Sequence, residues 1–317
     1  MTTTTEPIPV VVRERRAVAR DIVEITLARP DGRPLPEWEP GAHIDVLLEA
    51  DMVRQYSLCS DPADTTIYRI AVLREPGGRG GSVRAHEALT PGVALAIRMP
   101  RNHFPLVRAL GYILLAGGVG ITPMLALAEA ARRSGRPWRL VYTGRDASAM
   151  AYAQELRDRH GPAVTVHHSG RDGRIDLGAL LAGAVPGTAV FACGPAGLIT
   201  AAEDACRDLT AVDVFSERFA APAVTAADDA PFEVSLARSG LTLTVPPGRS
   251  ILELAEERGV LAPSSCREGA CGTCETEVVS GEVDHRDAVL TPEERAEGES
   301  MMICVSRCAG ARLVLEL

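Results

Sequence analysis

The stretch SCREGACGTCETEV, Ser265–Val278, sets Cys266, Cys271 and Cys274 within nine positions of a 317-residue chain that has eight cysteines in all. Three uses of such thiols compete. A disulfide lock is the weakest: the N-terminus MTTTTEPIPVVV lacks the basic region, apolar core and small-residue cleavage site of a secretory signal. That predicts a cytoplasmic protein, where disulfides are rare. A structural zinc more usually shows two Cys-x2-Cys pairs or a Cys/His mixture, and only CGTC is such a pair here. A thioredoxin-like dithiol needs no third or fourth cysteine. The spacing C-x4-C-x2-C, with Cys304 following 30 residues later, is the ligand pattern of a plant-type [2Fe–2S] cluster. Gly269, Ala270 and Gly272 suit it, because small residues let backbone N–H groups approach the sulfurs. The expected metal ligands are Cys266, Cys271, Cys274 and Cys304. Cys308 is the other candidate for the fourth place, but Cys304 directly ends an apolar run. Cys59, Cys193 and Cys206 read as small buried residues.

Around this loop the segments FEVSLARSGLTLTVPPG, SILELAEERG, CETEVVSGEV and RLVLEL predict a hairpin, a short helix and two closing strands, a small α+β unit over residues 232–317. Upstream, residues 218–232 are rich in Ala, Pro and Asp without periodicity and read as an interdomain linker, placed at 221–231. Between Leu110 and the linker, buried strand-like runs alternate with helical patterns: GYILLAGGVG, TPMLALAEAARRSG, RPWRLVYTGRD, AQELRDRHG, AVTVHHSG and TAVFACGPAGLITAAEDACRDL. Alternation of this kind implies a parallel sheet covered by helices on both faces, over residues 108–220. Residues 1–107 carry short β-type runs punctuated by Gly, Pro and Asp, as an antiparallel barrel would. The fold class is therefore multidomain: a β-barrel, an α/β parallel-sheet domain and an α+β domain.

Charge removes some functions. The chain carries −9, every one of its 33 basic residues is Arg, and no basic cluster stands out, so nucleic acid is not an expected partner. The longest apolar stretch is interrupted by glycines and a proline, and no membrane span is expected. Residues 230–317 hold 15 acidic residues against 8 Arg, so most of the acidity sits in the last domain.

A barrel carrying RQYSL, a nucleotide-type domain carrying AGGVGITPM and CGP, and a terminal CREGACGTC, in that order, resemble the phthalate dioxygenase reductase family over residues 10–317. The resemblance implies a plant-type ferredoxin (β-grasp) fold for the last domain, FMN in the barrel, NADH in the middle domain and a [2Fe–2S] cluster at the four cysteines. Arg54, Tyr56 and Ser57 match the Arg-x-Tyr-Ser flavin signature. Arg54 would pair with the FMN phosphate, Tyr56 would lie against the isoalloxazine ring and Ser57 would bond its polar edge. Read alone, RQYSL is equally an ordinary strand. Gly80, Gly81 and Ser82 enter a helix whose first N–H groups form an anion site for the same phosphate. Ala71, Val72 and Leu73 would line the flavin through their backbone.

In the middle domain Gly117, Gly118 and Gly120 let the chain turn tightly at a helix start and approach a pyrophosphate, followed by Thr122 and Pro123. Cys193, Gly194 and Pro195 end a second strand at the same sheet edge. The resemblance places Thr122 against the flavin, Cys193 beside the nicotinamide, and Phe219, with Glu217 as its neighbour, on the flavin face that nicotinamide occupies. These make Thr122, Cys193 and Phe219 the expected catalytic residues. Arg145, next to Asp146 after the second strand, suits a bare ribose and hence NADH. The implied activity is electron transfer from NADH through FMN and the cluster to an oxygenase component, a Rieske non-haem iron enzyme of the aromatic dioxygenase or O-demethylase kind, or a cytochrome P450. The acidic last domain suits a basic patch on that partner, and the reductase is expected to be a monomer. A redox-sensing flavin/iron–sulfur module is the alternative.

Overall fold

The computed structural model describes residues 6–49, 52–78, 80–182, 184–207, 209, 211–219 and 229–317. Most of the expected linker, residues 220–228, lies outside the described residues. The chain forms two compact units, residues 1–217 and 218–317.

The first unit is built on two sheets. Strands β1 (Ile8–Ala19), β2 (Ile22–Ala28), β3 (His43–Glu49), β4 (Met52–Ser57), β5 (Tyr68–Leu73) and β6 (Ala94–Ile97), with helix α1 (Gly81–Ala88), make the flavin-type half. The strands run in the order β4-β3-β6-β1-β2-β5, antiparallel at every step. The sheet curls into a barrel: just past β4 the Cys59 N–H donates to the Arg69 carbonyl of β5 at 2.9 Å. Alternation at the start of β1 turns Ile8, Val10 and Val12 inward, where Ile25, Leu27, Ile44, Ile70 and Ile97 are fully enclosed. Each such side chain contributes about 1.5–3 kcal/mol of burial. The whole of β2 is buried, its second face covered by Ala151 and Tyr152 from the other half of the unit.

That other half has β7 (Gly111–Gly117), α2 (Ile121–Arg133), β8 (Trp138–Gly144), α3 (Ala153–His160), β9 (Val164–His168), α4 (Ser169–Asp172), α5 (Leu177–Leu181), β10 (Thr188–Cys193), α6 (Ala196–Arg207) and β11 (Val212–Glu217). All five strands are parallel, ordered β11-β10-β7-β8-β9. The chain winds from β7 to one edge and returns to start the other at β10. The carboxyl ends of β7 and β10 therefore form the switch point, where open α/β sheets bind ligands. β7, GYILLAG, is buried along its whole length, as a central parallel strand covered on both faces must be.

The second unit contains β12 (Phe232–Leu236), β13 (Leu241–Val245), α7 (Ile251–Glu257), β14 (Glu275–Ser280), β15 (Val283–Asp284), α8 (Pro292–Glu297), β16 (Ser300–Met302), β17 (Arg307–Cys308) and β18 (Arg312–Leu315). Its main sheet runs β13-β12-β18-β14-β16, with β12 and β18 parallel and the other pairings antiparallel. Capping boxes start both helices, Ser250 with Glu253 for α7 and Thr291 with Glu294 for α8. α7 turns Ile251, Leu252 and Ala255 onto the sheet. Among the described residues no helix is long and apolar enough to cross a membrane.

Candidate functional site

Arg54, Tyr56 and Ser57 lie on β4 at the edge of the barrel sheet. Arg54 reaches across to the start of α1: a Cβ built on Gly81 would stand 2.0 Å from Arg54 Nε and 2.7 Å from its Cζ. A guanidinium thus sits at a helix N-terminus, on a cradle that only glycine leaves open. Gly80 precedes it in the left-handed conformation, φ 79°, which glycine adopts without penalty. The Ser82 hydroxyl accepts from the Glu75 N–H at 2.9 Å and folds the preceding turn back onto the helix. This donor set, one cation and a helix start, is the chemistry a phosphate requires. Tyr56 packs on the barrel core, and burial holds its phenol above the ordinary range. Ala71, Val72 and Leu73 form the end of β5, the last strand in the sheet order, where it pairs with β2. The Val72 carbonyl accepts from His86 Nε2 on α1 at 2.9 Å, which ties the helix to that edge; sequence reasoning gave His86 no role.

At the switch point two turns are in direct contact. A Cβ on Gly120 would fall 2.3 Å from the Cys193 carbonyl oxygen, and one on Gly117 would fall 2.7 Å from Pro195 Cδ. Gly194, at φ +151°, has the Gly117 backbone in the place of its own Cβ, 2.8 Å from Gly117 Cα. Gly117, Gly120 and Gly194 are therefore required by the packing of one turn on the other. Gly118 differs: its missing side chain faces open space at φ +54°. The Gly118 carbonyl accepts from the Tyr142 hydroxyl at 3.1 Å. Thr122 is buried, its hydroxyl donating to the Val119 carbonyl at 3.1 Å, and Pro123 occupies the first turn of α2, where no N–H is needed.

Three residues far apart in sequence meet beside these turns. Ser57 Oγ, at the end of β4, donates to Glu217 Oε2 at 3.5 Å, and Cys193 Sγ, at the end of β10, lies 3.9 Å from the same oxygen. Burial pushes the Glu217 carboxyl up to about 8 against the hydrogen bonds from Ser57 and Cys193, so it holds its proton at neutral pH. Burial first, and then the neighbouring Glu217 carboxyl, raises the Cys193 thiol well above its ordinary value. The cluster is thus polar but uncharged, and Cys193 is no nucleophile. Arg145 is exposed past β8, whereas Asp146 is committed elsewhere: it pairs with Arg20 at 3.0 Å and accepts from the Ser148 N–H and hydroxyl. Phe219 is 43% exposed and belongs to the second unit.

The second unit carries five of the eight cysteines, and all eight are free thiols. Cys266, Cys271, Cys274 and Cys304 are buried. Their side chains form one connected set: Cys266 contacts Cys271 and Cys304, and Cys304 contacts Cys274. Four cysteine thiolates are what a [2Fe–2S] cluster takes. Backbone N–H groups already point at the sulfurs: Glu268 and Ala270 onto Cys266 Sγ at 3.3 and 3.4 Å, Cys266 onto Cys271 Sγ at 3.4 Å. Gly269 and Gly272 take positive φ, 68° and 72°, to allow this. The Thr273 hydroxyl, unforeseen in the sequence, lies 3.2 Å from Cys271 Sγ. The hydrogen bond with Cys266 and burial raise the Cys271 thiol; Cys304, lowered by Cys266 but raised more by Cys274 and burial, stands at about 12. Cysteine thiols give up their protons as they ligate a metal. Cys308 sits on β17 opposite Val283.

Residues 234–309 match the family model of the 2Fe-2S iron-sulfur cluster binding domain. The toluene-4-sulfonate monooxygenase system reductase subunit of Comamonas testosteroni is 42% identical, over 98% of this chain and 99% of that protein. Phthalate dioxygenase reductase of Burkholderia cepacia is 40% identical over 96% of each. A solved phthalate dioxygenase reductase, described as modular for electron transfer from pyridine nucleotides to [2Fe-2S], superposes with a TM-score of 0.75 at 39% identity and 98% coverage of both chains. An intact type IV self-sufficient cytochrome P450 monooxygenase superposes with a TM-score of 0.87 at 40% identity, over 98% of this chain but only 41% of that one. The chain belongs to the phthalate dioxygenase reductase family of oxygenase reductase subunits.

Proposed function

We propose that the protein takes electrons from NADH and delivers them, one at a time, to a separate oxygenase component. When bound, FMN accepts two electrons from NADH and the [2Fe–2S] cluster passes them on singly. The chain's own contribution is placement. Arg54 and the N-terminus of α1 hold the FMN phosphate. Tyr56 and the edge of β5 flank its ring. The Gly117–Gly120 and Cys193–Pro195 turns, locked onto each other, form the floor on which the dinucleotide rests. Ser57, Cys193 and protonated Glu217 give that floor a polar but neutral end, so two flat rings can stack there without a buried charge between them. Cys266, Cys271, Cys274 and Cys304 ligate the cluster while loop N–H groups balance sulfur charge.

The observation that carries this reading is the meeting of Ser57, Cys193 and Glu217 within hydrogen-bond range. It brings the end of the flavin strand to the switch point of the nucleotide sheet. The partner is read as a Rieske-type aromatic dioxygenase or O-demethylase. The similarity to the reductase portion of a self-sufficient P450 supports a P450 acceptor as the second reading. Cys271→Ser tests the electron path: NADH-driven reduction of a small dye persists, and reduction of the protein acceptor is lost. Equal loss of both activities would contradict the order of carriers.

A further inference from the structure

Asp287 follows β15, and its carboxylate is wholly enclosed, with 0% of the side chain exposed. Oδ2 accepts the N–H groups of Val289 and Leu290 at 3.0 and 2.9 Å, and Oδ1 accepts the Ser306 hydroxyl at 3.4 Å. The Arg295 guanidinium lies 3.7 Å from Oδ2 and donates to the Asp287 carbonyl at 2.7 Å. The His285 imidazole stands 3.8 Å from Oδ1. Burying a carboxylate costs several kcal/mol unless it is well bonded, so a residue whose only task was to fill space would be apolar.

What Asp287 backs is the cluster loop. Gly269 lies between Cys266 and Cys271, and a Cβ there would meet Val305 Cγ2 at 2.5 Å and Asp287 Cα at 3.0 Å. The Gly269 carbonyl accepts the Ala288 N–H at 2.7 Å, and the Gly269 N–H donates to Cys304 Sγ. Ser306, bonded to the carboxylate, is two residues beyond Cys304. One buried acid therefore pins the 266–271 loop, the 304–306 turn and the start of α8 together.

We propose that Asp287 is a positioning residue of the cluster, fixing the loop against Cys304 and lowering the cluster's reduction potential through its enclosed negative charge. This rests on the reading that the four cysteines hold a [2Fe–2S] cluster. Potentials of such clusters follow net local charge and hydrogen bonding to sulfur. The Asp287 charge is shielded from solvent, whereas Arg295, 36% exposed, is partly screened. The acid's field therefore dominates, and Arg295 offsets part of it.

The test is a mediated redox titration of the full chain followed by the EPR signal of the reduced cluster. Asp287→Asn keeps the shape and removes the charge, and the potential should rise. The cluster's electron-sharing equilibrium should move on the order of tenfold, or 59 mV for one electron. Arg295→Gln removes the opposing charge, and the potential should fall. If Asp287→Asn does not retain its cluster, the sign of the Arg295→Gln shift decides. Unmoved potentials, or shifts of the same sign in both variants, overturn the proposal alone. A wild-type chain with no reducible iron signal overturns the cluster assignment and the proposal with it.

Discussion

Gly81→Ala separates flavin binding from folding. The new Cβ would stand 2.0 Å from Arg54 Nε, 2.7 Å from Cζ and 2.8 Å from Cδ. Contacts that short force a movement, and the far end of the flexible Arg54 side chain, whose Nη1 donates to the Val53 carbonyl at 2.8 Å, is what must shift. The helix backbone need not change: Gly81 is absent from the positive-φ positions, and alanine at a helical residue is favoured over glycine by up to about 1 kcal/mol. Stability of the flavin-free protein should therefore hold or rise slightly. The phosphate, however, loses a charge-assisted arginine contact of about 1.5–3 kcal/mol, which weakens FMN roughly 10- to 150-fold. Fluorescence titration of flavin-free protein with FMN reads the affinity, and a melt of the same sample reads stability. Arg54→Gln should show a comparable loss, and adding Gly81→Ala to it should change little, since both act through one contact. Undiminished FMN affinity in Gly81→Ala, or losses that add in the double variant, would refute the reasoning.

Glu217 gives a pH signature. Its folded-state value, about 8, is above the ordinary 4.5, so folding favours the protonated acid. The stabilisation is complete below about pH 4.5 and is lost as pH climbs toward 8, by at most about 4–5 kcal/mol; the partly buried position of Glu217 reduces this. Urea midpoints of flavin-free protein should fall across that interval in wild type and much less in Glu217→Gln; parallel curves would count against a buried protonated acid. At the switch point, Gly120→Ala should lower the melting temperature more than Gly118→Ala. The first drives a Cβ to 2.3 Å from the Cys193 carbonyl, the second meets only open space at a left-handed φ. The costs expected are about 3 kcal/mol or more and about 1 kcal/mol, and reversed ranking in thermal unfolding would show that the two turns yield easily.

The first three cluster cysteines were legible because their spacing is short-range: four and two residues lie between Cys266, Cys271 and Cys274, and one loop carries them. The six barrel runs and the alternating strands and helices were legible for the same reason, since period and punctuation are local. What escaped was tertiary. Ser57, Cys193 and Glu217 sit on β4, β10 and β11 and meet only once both sheets are assembled. β11 itself, VDVFSE, is an edge strand with polar residues where a central strand would be apolar, so no apolar run marks it. α8 was missed although Thr291 and Glu294 form its capping box with Pro292 between them, a start signal the polar PEERAE run obscured. The bond from Arg20 to Asp146, 126 positions away, likewise cannot be seen along the chain.

The parallel pairing of β12 with β18 has a consequence for synthesis. Glu233 faces Arg312 at the middle of the sheet, so the slot between the hairpin and β14 stays vacant until Arg312–Leu315 has been translated. All four sulfurs leave the ribosome before the strand that closes their domain does, so iron should be captured only after Arg312–Leu315 has emerged and paired with β12. Shortening the chain by that single strand should leave the ferredoxin half without iron, though no ligand has been touched.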